Sequence, residues 1–436
     1  MKNHFLVFSP IVMVSVSLIY IYVIPIMVYD SDSVFNYVQY LDKANYLMLV
    51  NYVRTFIYCF TICSFFYIKK KSKAIKRLNE SYFTKHASVF DAKEKIKVIN
   101  LLSVAIIILI FALEFVMCGF YPALFIAKLL HPRDNIVRNG VGIFNEIIGF
   151  LKLLLAFLAA TAFFSKKSLQ SFLLCCAALI MNILGGSKSS VLLVVIITFL
   201  IYKRIVFDKK GFSKKSPIIK YLSVGLLFIV AVLVSFALMR STADGGKLTS
   251  LNDILSFIVD YDQEAYFTGR VIVDFEPKFE HFSFLVESFV CTPIPRFLWH
   301  NKGYYSFFNG YWRQMYQPDT TMDHTSTYGL LAEGHMLFGI MTPFLYVIIT
   351  LFIVDFVYNL YYSNSASKSF LGIFMISSIY FSIRAGLFEP STLWNFIIYF
   401  ALFSLITKTF GLYQKYSKKH PCQRSINIGK TNALKY

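Results

Sequence analysis

Long apolar runs, separated by short polar or lysine-rich connectors, make up most of this 436-residue chain. A helix needs about 20 predominantly apolar residues to cross a hydrocarbon core ~30 Å thick. Seven runs have that length, and three shorter or interrupted runs can cross if their polar positions face neighbouring helices. The pattern therefore predicts an all-α polytopic integral membrane protein with about ten transmembrane helices. The predicted spans are residues 5–29, 46–68, 98–121, 141–164, 169–186, 190–207, 217–239, 336–361, 369–387 and 393–410.

One long stretch, residues 240–336, is neither an apolar run nor a lysine-rich connector. It divides the chain into a seven-helix membrane region (1–239), a large loop between the seventh and eighth helices (240–336), a three-helix membrane region (337–410) and a basic tail (411–436). Apolar residues recur at helical spacing after Ser250 and again from Phe279 to Val290, which predicts two amphipathic helices in the loop. Such helices lie on or dip into the membrane surface, and here they would roof the bundle.

Positive charge is concentrated in alternate connectors, and the chain carries a net charge of +19. Cytoplasmic connectors of membrane proteins are enriched in lysine and arginine, so the pattern places both termini in the cytoplasm and the large loop outside. The first apolar run is too long for a signal-peptide core and is expected to remain as an uncleaved anchor. Because the charge follows the topology, it does not indicate a nucleic acid partner.

Charged side chains inside a span need a partner or a water-filled cavity. Glu114 is expected either to pair with Arg54 or Lys152 or to serve a function within the membrane. Arg384 differs from the other intramembrane charges because it lies close to the outer surface and therefore to the loop. Neither the cysteines nor the histidines show metal-ligand spacing, so no metal site is predicted.

Basic residues also occur on the outer side, where the topology rule does not explain them. Lys128, Arg133 and Arg138 lie in the outer connection after the third span. The turn at 185–190 (GGSKSS) places Lys188 and free backbone amides at a helix N-terminus, which suits a phosphate. A tight turn with a snorkelling lysine explains that segment as well.

Nine aromatic residues lie between positions 297 and 316. Tryptophan and tyrosine also collect at membrane interfaces, which explains any single one of them. The density of rings, mixed with polar side chains, also suits a groove for sugars. The candidate sugar-binding residues are Trp299, Tyr304, Tyr305 and Trp312.

Four segments resemble those of a known family. Residues 292–302 (TPIPRFLWHNK) resemble an outer-loop segment of bacterial oligosaccharide repeat-unit polymerases, the Wzy-type O-antigen or capsule polymerases. Residues 325–339 (TSTYGLLAEGHMLFG) are similar to the segment that follows it in those proteins, in which a glutamate precedes a span opened by a Phe-Gly pair. The turn at 185–190 and residues 384–386 (RAG) are similar to the family's basic turn and its late arginine and glycine pair.

The resemblance implies a metal- and nucleotide-independent glycosyltransferase of the bacterial inner membrane. Such an enzyme joins undecaprenyl-diphosphate-linked oligosaccharides into O-antigen or capsular polysaccharide at the periplasmic face, without a cofactor, among membrane lipids and with a chain-length regulator protein as a partner. It must neutralise a diphosphate and position a hydroxyl. The diphosphate-binding candidates are Arg240, Arg270, Arg296, Arg384, Arg133, Arg138 and Lys188. The candidates for the catalytic base are Glu333, His324, His335 and Asp323, each of which has an alternative role as a hydrogen-bond partner that orders the loop.

Two other functions compete with the polymerase. A flippase for lipid-linked oligosaccharides would explain the charges inside the spans but would give the long loop no role. An O-antigen ligase would share the topology and the lipid-diphosphate chemistry. However, the histidine-asparagine pattern of the ligase loop is absent, since Thr325 and Ser326 follow His324.

Overall fold

The computed structural model describes residues 9–27, 41–85, 93–130, 142–183, 188–207, 263–275, 279–294, 298–299, 329–363 and 365–419. All regular structure in these residues is helical. In chain order the helices are α1 (Pro10–Met27), α2 (Lys43–Lys85), α3 (Lys93–Met117), α4 (Pro122–Leu130), α5 (Gly142–Lys166), α6 (Leu169–Ile183), α7 (Lys188–Tyr202), α8 (Gln263–Asp274), α9 (Phe279–Cys291), α10 (Gly329–Phe338), α11 (Thr342–Tyr361), α12 (Ala366–Ala385) and α13 (Pro390–Lys419). A π-helical turn lies within α1, another follows α7, and a 3₁₀ turn joins α10 to α11.

Six of the described helical segments are long and apolar enough to cross a membrane: Pro10–Met27, Lys43–Lys70, Ile96–Met117, Phe144–Lys166, Gly329–Tyr361 and Pro390–Lys408. They coincide with six of the predicted spans, as expected for a multi-pass membrane protein. Helices α6, α7 and α12 occupy the positions of the fifth, sixth and ninth predicted spans but are shorter or less apolar. The seventh predicted span, 217–239, lies outside the described residues.

The centre of the bundle is α5, which is buried along most of its length. Its small residues Ala159, Ala160 and Ala162 are fully buried and let α3, α6 and α7 approach closely. Aromatic rings fill the space between α5, α12 and α13, where Phe370 stacks on Phe403 with ring centroids 4.2 Å apart. A second apolar cluster joins α1, α2, α11 and α12.

A buried ion pair joins two of these helices. Lys152 Nζ on α5 lies 3.0 Å from Glu114 Oε1 on α3. The sequence left Arg54 and Lys152 as alternative partners for Glu114, and the pair with Lys152 is confirmed. Arg54 is exposed and donates instead to Asn51, one turn earlier on α2.

Side-chain contacts define two ends of the bundle. At one end, Arg204 after α7 donates to the carbonyls of Tyr361 and Ser363 and to the Ser369 hydroxyl. We call this the basic end because most of the cationic residues of the described spans gather there. They are Lys69, Lys70, Lys97, Lys166, Lys167, Lys203, Arg204, Lys368 and Lys408. The loop helices α8 and α9 pack at the opposite end, which we call the site end.

Helix α10 belongs to the site end and not to the middle of the bundle. Helix α11 has 20 residues, which extend ~30 Å and suffice to cross the hydrocarbon core. Its outward stripe is apolar and exposed, as expected for a lipid-facing surface, and comprises Phe344, Ile348, Phe352 and Phe356. By contrast, all residues from Gly329 to Met336 in α10 are buried by protein.

The eighth span was predicted to start at Met336, whereas the apolar helical segment that contains it starts at Gly329. The helix starts at Gly329 because the apolar residues of α10 pack against the loop helices and its polar side chains find partners inside the protein. Within the loop, the helix predicted over 279–290 is confirmed as α9. The helix predicted after Ser250 lies outside the described residues, and α8 was not predicted.

The loop helices dock on the bundle through a small apolar core. Phe267 and Val271 of α8, Phe275 directly after α8 and Leu285 of α9 pack against Ala332 and Met336 of α10. Burying one such large apolar side chain contributes ~1.5–3 kcal/mol relative to leaving it in water. The core therefore holds α8 and α9 firmly over the site end.

Candidate functional site

Charged and polar side chains converge where α8 meets α10 and the turn between α12 and α13. The turn is sharp because Gly386 adopts a φ of 113°, which disfavours residues with a side chain. Three carboxyl groups lie within this region, on Glu264, Glu333 and Glu389, and all three are buried. A buried carboxyl group is costly unless donors or cations compensate it, so the partners of each one define the site.

Glu333 is held by donors on both of its oxygens. Its Oε2 accepts from the Leu387 amide at 2.7 Å and from the Tyr346 hydroxyl at 3.1 Å, and its Oε1 accepts from the Phe388 amide at 3.0 Å. The side chain is fully buried. Glu333 therefore ties α10 to the α12–α13 turn and fixes the direction of that turn.

His335, two residues further along the same helix, is also engaged with protein on both ring nitrogens. Its Nε2 lies 3.3 Å from the carbonyl oxygen of Phe275, and its Nδ1 lies 3.3 Å from the Tyr52 hydroxyl. A carbonyl oxygen can only accept, so Nε2 carries the proton in this hydrogen bond. The Tyr52 hydroxyl also lies 3.0 Å from the Gly339 carbonyl. His335 thus connects α2, α10 and the end of α8.

Glu264 and Arg384 form the ion pair of the site. Glu264, in the first turn of α8, has no exposed surface, and its Oε1 accepts from Arg384 Nε at 2.5 Å. Arg384 is the penultimate residue of α12, and 22% of its side chain is exposed. The pair joins a helix of the loop to a helix of the bundle and leaves the guanidinium between a buried carboxylate and the surface.

Close packing around Glu264 depends on Gly329. A side chain at this position would collide with the Tyr22 hydroxyl and crowd Glu264, and the backbone φ of 84° disfavours one as well. The Tyr22 hydroxyl accepts from the Leu331 amide at 3.1 Å. Helices α1, α8 and α10 therefore meet tightly beside the ion pair.

Glu389 completes the turn and precedes Pro390, the first residue of α13. The Ser391 hydroxyl lies 3.3 Å from its Oε1. Burial raises the pKa of the Glu389 carboxyl to about 7, although hydrogen bonds from Ser391 oppose the shift. Burial thus favours the protonated form of this carboxyl group compared with an exposed glutamate.

No family model, no curated protein and no solved structure matches the chain. Within the described residues, no group of three or more histidine, cysteine, aspartate or glutamate side chains is arranged to hold a metal ion.

The structure brings together three of the residues singled out by the sequence, namely Glu333, His335 and Arg384. Arg270 lies about 120° around α8 from Glu264, is partly exposed and pairs with Asp274 at 3.0 Å. Lys188 is the first residue of α7, and Trp299 is partly buried. The other predicted site residues lie outside the described part of the chain. They are Arg133, Arg138, Arg240, Arg296, Tyr304, Tyr305, Trp312, Asp323 and His324.

Sequence reasoning missed Glu264, Glu389 and the tyrosines that surround them. Glu264 lies in a mixed segment, DQEAYFTGR, where nothing distinguishes it from neighbouring acidic residues. Glu389 had one usable signal, since it stands between a glycine turn and a proline that starts a helix. Tyr22, Tyr52 and Tyr346 lie in apolar runs, where a tyrosine is as expected in a core as in a site.

The arrangement favours anion binding at Arg384. An arginine stays charged at all relevant pH values and binds phosphate or carboxylate oxygens through a planar fork. Here that fork is oriented by a carboxylate and carried on a turn that is itself fixed by Glu333. Glu333 and His335 have the contacts of residues that order the loop, and their assignment as a catalytic base stays a prediction.

Proposed function

We propose that this protein polymerises polyprenyl-diphosphate-linked oligosaccharides into O-antigen or capsular polysaccharide at the periplasmic face of the bacterial inner membrane. In this proposal the chain crosses the membrane ten times with both termini in the cytoplasm. The reaction needs neither a nucleotide sugar nor a metal ion.

The observation that carries the proposal is the Glu264–Arg384 pair. It places an arginine whose side chain is 22% exposed at the junction between the large loop and the membrane bundle. A polyprenyl-diphosphate-linked sugar has its polyprenyl tail in the bilayer and its diphosphate at the membrane surface. It would therefore meet the protein at such a junction. The lysine-rich opposite end supports a cytoplasmic assignment for that end and a periplasmic one for the site.

The course of the described helices supports the proposed topology. Phe207 lies at the basic end and Gln263 at the site end, so residues 208–262 have to connect the two ends. A seventh span at 217–239 would make that connection. The predicted spans on either side then alternate in direction, as ten crossings require.

The proposed reaction breaks the bond between the anomeric carbon of the growing chain and its lipid diphosphate. A hydroxyl of the incoming unit forms the new glycosidic bond, its proton passes to a base, and the lipid diphosphate leaves with its negative charge. Arg384 would stabilise that charge, which develops in the transition state. Because both oxygens of Glu333 accept hydrogen bonds inside the protein, we assign it to positioning, and Asp323 and His324 then become the leading candidates for the base.

The test is elongation by purified protein in detergent, supplied only with polyprenyl-diphosphate-linked repeat units. Wild-type protein should form longer oligomers without nucleotide, ion gradient or added divalent metal. Arg384→Ala should slow the reaction by ~10²-fold or more, the effect of removing one group that stabilises transition-state charge. Arg384→Lys should restore part of it, because the ammonium keeps the charge but loses the fork. Arg54→Ala, which removes an exposed arginine of α2, should leave the rate unchanged.

The same preparation separates the competing functions. If folded wild-type protein does not elongate the units but moves them across vesicle membranes, the protein is a flippase. If it transfers a single preformed chain to a lipid A core and never joins repeat units, it is a ligase. Either result would refute the polymerase proposal.

A further inference from the structure

Glu264 occupies an unusual place for a charged residue of a loop. It lies on α8, outside the candidate spans, yet its side chain is fully buried. Effective penalties for burying an ion reach several kcal/mol even after relaxation, so an unpaired carboxylate would not persist there. Its ion pair with Arg384 supplies the compensation.

Arg384 is restrained from two directions. Glu264 holds the guanidinium at Nε, on the side of the loop. The backbone that follows Arg384 is held by Glu333, through the Leu387 and Phe388 amides. The backbone at Arg384 and the guanidinium at the end of its side chain are therefore both held in place.

Such restraint matters for binding because ordering a flexible side chain at an interface costs about 0.5–1.5 kcal/mol. An arginine that is already oriented does not incur this cost when a ligand arrives. The restraint also depends on the loop, since the carboxylate that orients Arg384 is on α8.

We propose that Glu264 is a positioning residue for Arg384, so that α8 must be docked on the bundle before the site binds the diphosphate of a lipid-linked sugar. The identity of this ligand rests on the proposed function. Glu264 itself does not touch the ligand and acts only through the guanidinium.

Positioning and simple electrostatics predict opposite effects of removing the carboxylate. Glu264→Gln deletes a negative charge beside Arg384, and on charge alone an anion should then bind more tightly. If Glu264 positions the guanidinium, the same change should weaken anion binding, because the guanidinium loses the carboxylate that orients it. The sign of the change therefore separates the two roles.

The experiment measures binding of farnesyl diphosphate to the full-length protein in nanodiscs, with farnesol as the uncharged probe. Wild-type protein should prefer the diphosphate over farnesol. Glu264→Gln should weaken diphosphate binding about tenfold, equivalent to ~1.4 kcal/mol, and leave farnesol binding unchanged. Glu287→Gln, at an exposed carboxylate of α9, is the matched control and should bind both probes as the wild type does.

Each outcome assigns the failure to one proposal. If the wild type does not distinguish farnesyl diphosphate from farnesol, the diphosphate site is refuted, and the proposed function loses its main support. If the wild type prefers the diphosphate but Glu264→Gln binds it equally well or more tightly, only the positioning role is refuted. If Glu264→Gln does not fold, Glu264→Asp carries the test. It keeps the charge but shortens the side chain, and unchanged affinity for the diphosphate would overturn the role.

Discussion

Glu333 shows how a carboxyl group is accommodated inside a helical bundle. Its two oxygens face two consecutive backbone amides, and the Tyr346 hydroxyl adds a third contact. The amides converge because Gly386 permits the sharp turn that precedes them. These donors offset the free-energy cost of burying the carboxyl group. The carboxyl oxygens in turn satisfy donors that would be costly to bury without a partner.

The first prediction concerns Glu333→Gln. A carboxyl group offers an acceptor oxygen to each amide whether or not it is protonated, whereas a glutamine has only one acceptor. In either orientation its NH₂ group must face a backbone N–H, which leaves a buried donor unsatisfied at a cost of ~1–3 kcal/mol. The apparent Tm of the purified variant should therefore be lower than that of the wild type by ~1–3 °C.

Glu287→Gln is the control for this measurement, because the exposed carboxylate on α9 should contribute less than ~0.5 kcal/mol. An unchanged Tm for Glu333→Gln would show that the three hydrogen bonds do not hold the turn. The prediction also affects enzymology, since loss of activity in Glu333→Gln would not by itself identify a catalytic base. Residual activity should be compared at a temperature well below the transition of the variant.

At the scale of elements, α9 carries apolar residues on a buried side and on an exposed side. Its inner side packs Leu285 against the loop core and buries Ser288. Phe289 stacks on Trp394 of α13 with ring centroids 5.2 Å apart, and the indole Nε1 donates to the Phe289 carbonyl at 2.7 Å. The outer side exposes a stripe of Phe282, Val286 and Val290.

The position of α9 indicates what covers this stripe. Ile397, Ile398 and Leu405 follow Trp394 on the same face of α13 and are exposed, as lipid-facing residues are. Helix α9 therefore lies at the top of a lipid-facing surface, beside a tryptophan in the first turns of a candidate span. Tryptophan is enriched at this depth of a bilayer, so we expect the stripe to contact acyl chains near the headgroups.

The second prediction follows from that geometry. An environment-sensitive fluorophore on Val286→Cys, in a variant without the native cysteines, should be quenched by brominated lipids in proteoliposomes. The same fluorophore on Glu287→Cys, about 100° around the helix, should be quenched mainly by aqueous iodide. Equal access of iodide to both positions would show that the stripe faces water.

At the scale of the whole molecule, the two ends of the bundle differ in charge and in what covers them. Among the described residues, the basic end carries the short α5–α6 and α11–α12 turns, while the site end carries α8, α9 and the buried carboxyl groups. Such an asymmetry fixes the orientation of a membrane protein, because lysine and arginine near span ends are retained in the cytoplasm.

The third prediction is the orientation of the described turns. Tyr121 precedes α4 at the site end, and Lys167 lies between α5 and α6 at the basic end. In a cysteine-free background, a membrane-impermeant maleimide added to spheroplasts should label Tyr121→Cys but label Lys167→Cys only after lysis. Labelling of Lys167→Cys in intact spheroplasts would contradict the topology in which both termini are cytoplasmic.

The sequence by itself determined the class of the protein and much of its architecture. Hydropathy is a local property, so apolar runs identified six spans that the structure retains, and helical periodicity identified α9. The placement of lysine and arginine marked one end of the bundle, since that signal also lies in short segments. For the site, the sequence supplied Arg384 as a charge inside a span near the outer surface, and the family resemblance supplied Glu333 and His335 as candidates for a base.

Only the tertiary structure decided how those residues are used. The choice of Lys152 over Arg54 as the partner of Glu114 depends on which faces of α3 and α5 meet, and local patterns do not encode that choice. The ion pair between Glu264 and Arg384 joins residues 120 positions apart in the chain, and α10 is helical from Gly329 because distant elements bury it. Burial and hydrogen bonding of a charge are long-range properties, and for this reason Glu333 gained three donors that no reading of its neighbours in sequence would supply.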